Sequence, residues 1–375
     1  MGDVRVWKYR LYASKSQQKE LASRLYSCKD LWNNLLEYTK KHYDETGRLP
    51  ARKELYLRTK GSPLYSQVAQ NVADRLSKSL KGMLARRRAG RKAGFPRFKT
   101  IERLKSFTYP QFGFRLGDKL QLSGIGEIPI KKHREICGRM KTLTLKKSPS
   151  GKWFAVFTTE VEAAKPEKKE GHQVGLDLGI EHFAHLSDGD IIENPRHLKR
   201  VEGKLGLEQT RLSRKKKGGK NRDKSRMKFA IAYEKLRDRR RDFLHKVSRN
   251  LVNKYSFIAM EKLDVSGLAG GFLAKSVLDC DWAEFVGMLR YKAAEAGCEV
   301  VLVDPAHTTQ LCSGCGVVRK KSLAERWHIC SCGAYMHRDL NAAINILDRA
   351  TLGHRVSNAW GEGSYSLVEP RSPAI

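Results

Sequence analysis

Two apolar runs in this chain each end on a carboxylate, and a third carboxylate follows farther along. The runs are Val174–Asp177 and Phe257–Glu261, and the third acid is Asp339 within His337–Asp339. The first two runs have the length and composition of buried strands, and the third opens a helical pattern. Carboxylates at strand ends meet at one edge of a sheet, where they can hold two divalent cations for phosphodiester cleavage. The pattern therefore predicts an α/β fold built around a metal-dependent nuclease site.

The charge of the chain predicts a nucleic-acid partner. Among 375 residues, 73 Lys and Arg face 40 Asp and Glu, which gives a formal net charge of +33. Such a field attracts polyphosphates. No stretch approaches the ~20 apolar residues of a membrane span, and the first ten residues lack the apolar core of a signal peptide. We therefore expect a cytoplasmic protein with no membrane partner.

The first part of the chain predicts a small β-barrel that is interrupted by helices. Residues 4–12 alternate as a strand does, and Ser14 with Gln17 has the spacing of a capping box at a helix start. A second helix begins near Ser66 and has apolar residues every four positions. Residues 95–162 contain short strands separated by glycines and prolines, which is typical of a barrel. We expect the helices to be an insertion between the first strand and the others.

The sequence pattern of the second part predicts an α/β unit. From Val174 the pattern is strand, turn, strand, turn, strand, which is the opening of an RNase H-like fold with Asp177 in its first strand. Residues 196–250 then predict a helical hairpin in which 21 Lys and Arg face six Asp and Glu. A strand that ends at Glu261, a helix at 282–296 and a strand at 300–303 continue the pattern. Residues 351–375 lack periodicity and predict a disordered tail.

Four cysteines have the spacing of metal ligands. Cys312 and Cys315 form one pair, and Cys330 and Cys332 form a second. Together they predict one structural Zn²⁺ held by four thiolates. The second pair is separated by one residue where two are usual, so His328 is an alternative ligand. The other cysteines lie in apolar contexts and are predicted to be buried thiols; they are Cys28, Cys137, Cys280 and Cys298.

Two groups of basic residues are candidates for phosphate contacts. One group follows the second helix of the insertion, and the other is the turn of the basic hairpin. Aromatic residues near the first group fit either base stacking or core packing. The candidates are Arg86, Arg87, Arg88, Arg91, Lys92, Arg97, Lys99, Arg214, Lys215, Lys216, Lys217 and Lys220.

With these residues in place, the chain resembles TnpB, the family of RNA-guided nucleases that insertion sequences encode and that is related to type V CRISPR effectors. The resemblance spans about residues 4–349 and is weakest over the helical insertion. His337 is a departure, because the family often has Asp at that position. The motifs that carry the resemblance are Gly94–Lys99, Gly175–Gly179, Leu212–Lys217, Asp242–Lys246, Glu261–Leu263, Thr309–Gly316, Cys332–Gly333, Arg338–Asp339 and Asn341–Ile346.

The resemblance implies a multi-domain α/β architecture and an order of domains along the chain. The expected order is a wedge strand at 1–13, a helical recognition insert at 14–94, the rest of a wedge β-barrel at 95–169, a RuvC-like nuclease domain at 170–305, an inserted zinc ribbon at 306–334, a last RuvC segment at 335–350 and the tail at 351–375.

The resemblance also implies a function, which is cleavage of double-stranded DNA that matches a guide RNA. The guide, called ωRNA, comes from the transposon, and a short motif beside the target is also read. One protein is expected for each RNA, in a prokaryote and in association with the nucleoid. By motif match, Asp177, Glu261 and Asp339 are the catalytic ligands of two Mg²⁺ ions. The four clustered cysteines are the ligands of one structural Zn²⁺.

Three other functions remain open at this level. A nuclease-inactive RNA-guided repressor would be expected to lack a carboxylate. An RNase H-like transposase would need no RNA and would assemble on transposon ends. A basic zinc-ribbon RNA-binding protein would have no use for ordered carboxylates. All three acids are present in this chain, which favours the endonuclease.

Overall fold

The computed structural model describes residues 3–162, 166–268, 270–271, 274–322 and 325–359. The chain divides into two compact units, Met1–Ala164 and Lys165–Ile375. Within the described ranges, every helix is too short or too polar to cross a membrane.

Seven strands of the first unit form one antiparallel sheet in the order β2-β6-β7-β1-β5-β4-β3. The two edge strands are consecutive in the chain, and the rings of Tyr109 and Phe114 on them lie 6.4 Å apart. The sheet therefore curls into a nearly closed barrel. Its strands are β1 (Asp3–Leu11), β2 (Ser106–Tyr109), β3 (Phe114–Leu116), β4 (Lys119–Leu122), β5 (Gly126–Lys131), β6 (Arg139–Lys147) and β7 (Trp153–Val161).

The pairing of β1 confirms that the first strand joins the later ones. It pairs antiparallel with β7 along its whole length, from Asp3 opposite Val161 to Leu11 opposite Trp153, and its end also pairs with β5. Alternate residues of both strands point into the core, as the period of two requires. The Trp7 indole donates a hydrogen bond of 2.9 Å to the Thr159 hydroxyl, so this buried polar pair is satisfied.

The helices between β1 and β2 pack on the barrel and share its core. They are α1 (Lys15–Thr46), α2 (Arg52–Leu57) and α3 (Ser66–Arg88). The predicted capping box is confirmed, because Ser14 and Gln17 exchange hydrogen bonds at the start of α1. Helix α2 was not predicted from the sequence; it has six residues, and one of them, Leu55, is buried. So short a helix carries too little periodicity to be recognised.

The second unit contains a five-stranded mixed sheet in the order β10-β9-β8-β11-β12. Its strands are β8 (Gln173–Leu178), β9 (His182–Leu186), β10 (Ile191–Glu193), β11 (Phe257–Glu261) and β12 (Glu299–Val303). The first three are antiparallel neighbours, whereas β11 runs parallel to both β8 and β12. This pairing confirms the three antiparallel strands and the α/β continuation predicted from the sequence.

Helices cover both faces of this sheet. Ile258 and Met260 of β11 face a core shared with α5 and α8, and Phe257 and Ala259 face α9. A two-stranded hairpin joins the unit near its end. The remaining elements are α4 (His197–Ser213), α5 (Lys220–Lys254), α6 (Val265–Leu268), α7 (Ala274–Cys280), α8 (Trp282–Ala296), β13 (Trp327–Ile329), β14 (Tyr335–His337) and α9 (Arg338–Ala359). The predicted basic hairpin is confirmed as α4 and α5.

Two expectations were wrong. Cys137 is exposed, unlike the buried Cys28, Cys280 and Cys298, because it lies in a loop among charged residues between β5 and β6. The tail does not begin at 351, because α9 continues to Ala359. A helix that packing has already nucleated extends at little further cost. The rest of the predicted tail, 360–375, lies outside the described residues.

Close packing at Gly175 fixes α9 on β8. A Cβ atom added to this residue would overlap the carbonyl oxygen of Ala343 and crowd the backbone nitrogen of Leu347. Only hydrogen at this position lets the helix approach so closely. Since Asp177 lies two residues after Gly175 and Asp339 lies in the first turn of α9, this contact sets the distance between the two acids.

We predict that Gly175→Ala lowers the free energy of unfolding by about 1–3 kcal/mol, because the helix must move away from the sheet. Chemical denaturation measures the change. Gly203→Ala is the matched control: Gly203 lies within α4, with open space where a methyl group would be, so alanine should stabilise by up to about 1 kcal/mol. Equal effects of the two substitutions would contradict the packing argument.

Candidate active site

The structure brings the three sequence-predicted carboxylates together. Strands β8 and β11 are parallel neighbours with Leu176 opposite Met260, so Asp177 and Glu261 follow at the same sheet edge. Helix α9 begins beside them and contributes Asp339. Each acid is therefore held by a different element, and each is partly shielded from solvent.

Burial, together with the nearby negative charges, sets the electrostatics of this edge. Burial raises the pKa of Asp177 well above its usual range, and the charges of Glu261 and Asp339 raise it further. Burial also raises the pKa of Glu261, against the opposing effects of the Thr308 hydroxyl and Arg349. Three acids so placed repel one another when ionised, and divalent cations remove that repulsion.

Thr308 orients Glu261 and was not found from the sequence. Its side chain is buried, and its hydroxyl donates a short hydrogen bond to Oε1 of Glu261. Asn345 of α9 in turn donates to the Thr308 carbonyl oxygen at 2.9 Å. Thr308 lies in a turn between β12 and the cysteine segment, where no periodic pattern marks it.

Two histidines also face Asp339. His185 on β9 lies opposite Asp177 in the sheet register, and its Nε2 is 3.7 Å from Oδ2 of Asp339. Nδ1 of His337 is 3.8 Å from the same oxygen, and the two imidazole rings stack with centroids 4.8 Å apart. Burial lowers the pKa of His185, and the charge of Asp339 opposes that shift.

An open cleft of about 1040 Å³ lies beside the acids. Asp177 and Asp339 line it together with several basic side chains, including Lys199, Arg326 and Arg338. Arg338 is fixed, since its guanidinium donates to the backbone carbonyl oxygens of Ser322 and Glu325. A cleft lined by both carboxylates and cations suits a phosphodiester bound through metal ions.

The four clustered cysteines form a second candidate metal centre. Their four Sγ atoms all lie within 4.8 Å of one another. The Sγ atoms of Cys312 and Cys332 are 3.6 Å apart, as are those of Cys315 and Cys330. Sulfurs at the corners of a tetrahedron with Zn–S bonds of about 2.3 Å are about 3.8 Å apart. A hydrogen bond from the backbone of Cys332, aided by the Cys315 thiol, lowers the pKa of Cys330 to about 6.

His328 lies outside this cluster, although the sequence left it as an alternative ligand. It is buried, and its Nδ1 lies in close contact with the ammonium of Lys321. The cysteine segment instead docks on α9 through Asn341. The amide of Asn341 accepts a hydrogen bond from the Ser313 backbone at 2.9 Å and donates to the Leu311 carbonyl at 2.7 Å.

The basic candidates are exposed with one exception. The group at the end of α3 and in the segment after it is open to solvent, and so is the turn between α4 and α5. Lys99 differs, because its Nζ lies 3.4 Å from the centre of the Trp32 ring and burial lowers the pKa of the amine to about 8. Among the nearby aromatics, Phe107 and Tyr109 belong to the core, whereas Phe98 is exposed.

Comparisons with known proteins place the chain in a family. A family model described as "Probable transposase" matches residues 156–270, and one described as "Cas12f1-like, TNB domain" matches residues 282–346. A "Putative RNA-guided DNA endonuclease" of Streptomyces pristinaespiralis is 34% identical over 358 residues, which cover 92% of this chain and 88% of that protein. The "Putative RNA-guided DNA endonuclease InsQ" of Escherichia coli (strain K12) is 32% identical over 79% of this chain and 76% of its own length.

A solved structure shares the fold. The Cas12f1 chain in a cryo-EM structure of the Cas12f1-sgRNA-target DNA complex superposes with a TM-score of 0.56 at 12% identity. The superposition covers 92% of this chain and 98% of that one. The two relatives exceed 30% identity over most of this chain. The protein therefore belongs to the TnpB family of RNA-guided DNA endonucleases.

Proposed function

We propose that this protein cleaves double-stranded DNA that matches a transposon-derived guide RNA, next to a short flanking motif, by two-metal phosphodiester hydrolysis. In this proposal the second unit is a RuvC-like nuclease domain with an inserted zinc ribbon. The barrel of the first unit is the wedge domain, and its helices form the recognition insert.

The convergence of Asp177, Glu261 and Asp339 carries the proposal. These acids are far apart in sequence, yet the charges of the other two raise the pKa of Asp177. Keeping such a cluster costs stability, because the fold must hold like charges together in a partly buried place. A repressor without nuclease activity would have no reason to keep all three.

The residues of the edge fit Mg²⁺, which prefers a few carboxylate oxygens together with water and substrate phosphates. Two such ions, when bound, activate a water and stabilise the leaving oxygen. The chain itself provides three ligands on three different elements, and Thr308 fixes the orientation of Glu261. Basic residues along the cleft would hold the phosphates on both sides of the scissile bond.

The cysteine cluster fits Zn²⁺ in a structural role. Its four sulfurs leave no coordination position open for a substrate. Asn341 joins the segment to the helix that carries Asp339, so this centre would hold the start of α9 in place. In this proposal the Zn²⁺ supports the active site without taking part in the chemistry.

A requirement for guide RNA distinguishes the proposed endonuclease from a transposase. The protein should be purified from cells that carry its insertion sequence, and the RNA bound to it should be sequenced. The reconstituted complex should then be tested on plasmids whose target is flanked by randomised sequence. We expect cleavage only beside one flanking motif and only with a matching guide. Cutting or joining without RNA would favour a transposase.

We predict that Asp177→Asn, Glu261→Gln and Asp339→Asn each slow cleavage in Mg²⁺ by roughly a thousandfold or more, because several kcal/mol of metal-dependent stabilisation are lost. Binding of guide RNA and target DNA, measured by filter retention, should change little. Glu193→Gln is the matched control, since this exposed acid of the same sheet pairs with His182. Wild-type cleavage by Glu261→Gln would refute the site assignment.

We predict one Zn²⁺ per chain, measured by elemental analysis of the purified protein. Cys312→Ser should lower the zinc content and reduce thermal stability, because the cysteine segment depends on the metal for folding. Cys137→Ser, at an exposed cysteine in the first unit, should leave the zinc content unchanged. His328→Ala should also keep its zinc. A native, active protein without zinc would rule out the assignment.

We predict that neutralising Lys215, Lys216 and Lys217 weakens binding to nucleic acid in a salt-dependent way. Each lost phosphate contact reduces the slope of log affinity against log salt by up to about 0.9. The slope is measured with duplex DNA and with a guide–target heteroduplex. If the slope stays the same while cleavage falls, the hairpin turn acts on the active site and does not bind the duplex.

A further inference from the structure

We infer that His185, His337 and Asp339 form a binding site for a divalent transition-metal ion at one end of the carboxylate cluster. The inference rests on the proposed role of Asp339 as a ligand of a catalytic cation, and it extends that role to two imidazoles. The expected ion belongs to the first-row transition metals, for which imidazole nitrogen is a favourable donor.

The geometry of the three side chains supports the site. One ligand atom from each residue lies within 4.8 Å of the other two. Oδ2 of Asp339 is 3.7 Å from Nε2 of His185 and 3.8 Å from Nδ1 of His337. Two atoms that bind one cation at about 2.1 Å lie no more than about 4.2 Å apart, and both of these separations are within that limit. Small side-chain movements would therefore complete the coordination.

His185 provides the second, independent observation. Its side chain is buried, with 4% of its surface exposed, and its Nε2 has no hydrogen-bond partner among the described residues. A buried polar atom without a partner is costly and calls for a ligand. This nitrogen points toward Asp339, and Asp339 lines the open cleft.

Nδ1 of His337 is the second imidazole nitrogen near Asp339. The backbone N–H of Asp339 donates a long hydrogen bond of 3.3 Å to Nδ1 of His337, so this nitrogen carries a lone pair. The two rings stack with 11° between their planes, and since a metal lies in the plane of an imidazole that binds it, one ring must rotate before both bind the same cation. A metal bound to both rings would replace the long hydrogen bond with a stronger contact.

The ligand types distinguish this site from a metal site made of carboxylates alone. Mg²⁺ takes oxygen ligands, whereas two imidazoles with one carboxylate suit a first-row transition metal. We therefore expect this position to bind a first-row transition-metal ion more tightly than Mg²⁺. Asp177 and Glu261 remain available for a second cation.

Mn²⁺ is the probe that tests the inference, because it leaves zinc on the cysteines and gives an electron paramagnetic resonance signal. The full chain, saturated with zinc and free of nucleic acid, is titrated with MnCl₂. Pulsed measurements should show couplings of bound Mn²⁺ to imidazole ¹⁴N. His185→Gln and His337→Asn should each weaken those couplings and raise the dissociation constant for Mn²⁺ about tenfold or more.

Two further variants keep the test independent of folding. His337→Asp replaces nitrogen with oxygen, so it should still bind Mn²⁺ but lose the coupling to that ring. His182→Gln is the matched control, because His182 lies on the same strand and contacts the His185 ring, but its own Nδ1 pairs with Glu193. It should bind Mn²⁺ as the wild type does.

The outcomes separate this inference from the proposed nuclease activity. Mn²⁺ that binds without ¹⁴N coupling overturns the inference, even if cleavage in Mg²⁺ still depends on the carboxylates. Couplings and Mn²⁺ affinity that stay at wild-type strength in both His185→Gln and His337→Asn also overturn it. Nitrogen-coupled Mn²⁺ in a protein that cleaves no DNA would support the metal site and contradict the nuclease proposal.

Discussion

The contact between Gly175 and α9 is the constraint on which the candidate active site depends. Strands β8 and β11 would place Asp177 and Glu261 together in any sheet with this order. Asp339 joins them only because a helix can lie directly on β8, and it can do so because residue 175 has no side chain. The chemistry of the edge therefore relies on a position that carries no functional group.

A second set of contacts links the candidate metal centres through the same helix. Asn341 and Asn345 of α9 bond to the backbone of residues 308–313, which lead into the first cysteine pair. Thr308 lies in that stretch and also orients Glu261. Disturbing the cysteine segment would thus reach two of the three acids, one through α9 and one through Thr308.

Much of this arrangement was predictable because it depends on local patterns. Apolar runs ending on acids indicated the strands of Asp177 and Glu261, and cysteine spacing indicated the sulfur cluster. The insertion and the basic hairpin followed from helical periodicity. His185 was missed for a different reason: alternation shows which face a residue takes but not which residue lies across from it. Thr308 lies in an irregular turn, and its role exists only in the folded chain.

The central position of β1 in the barrel has a consequence for how the protein is made. This strand is synthesised before its partners β5 and β7, which follow only after the helical insertion. At about 5–20 residues per second, roughly 6–30 seconds pass before both partners of the strand have been made. An unpaired apolar strand invites association with other chains. The basic charges interspersed along β1 at Arg5, Lys8 and Arg10 act against this, since they keep nascent copies apart until the barrel can close.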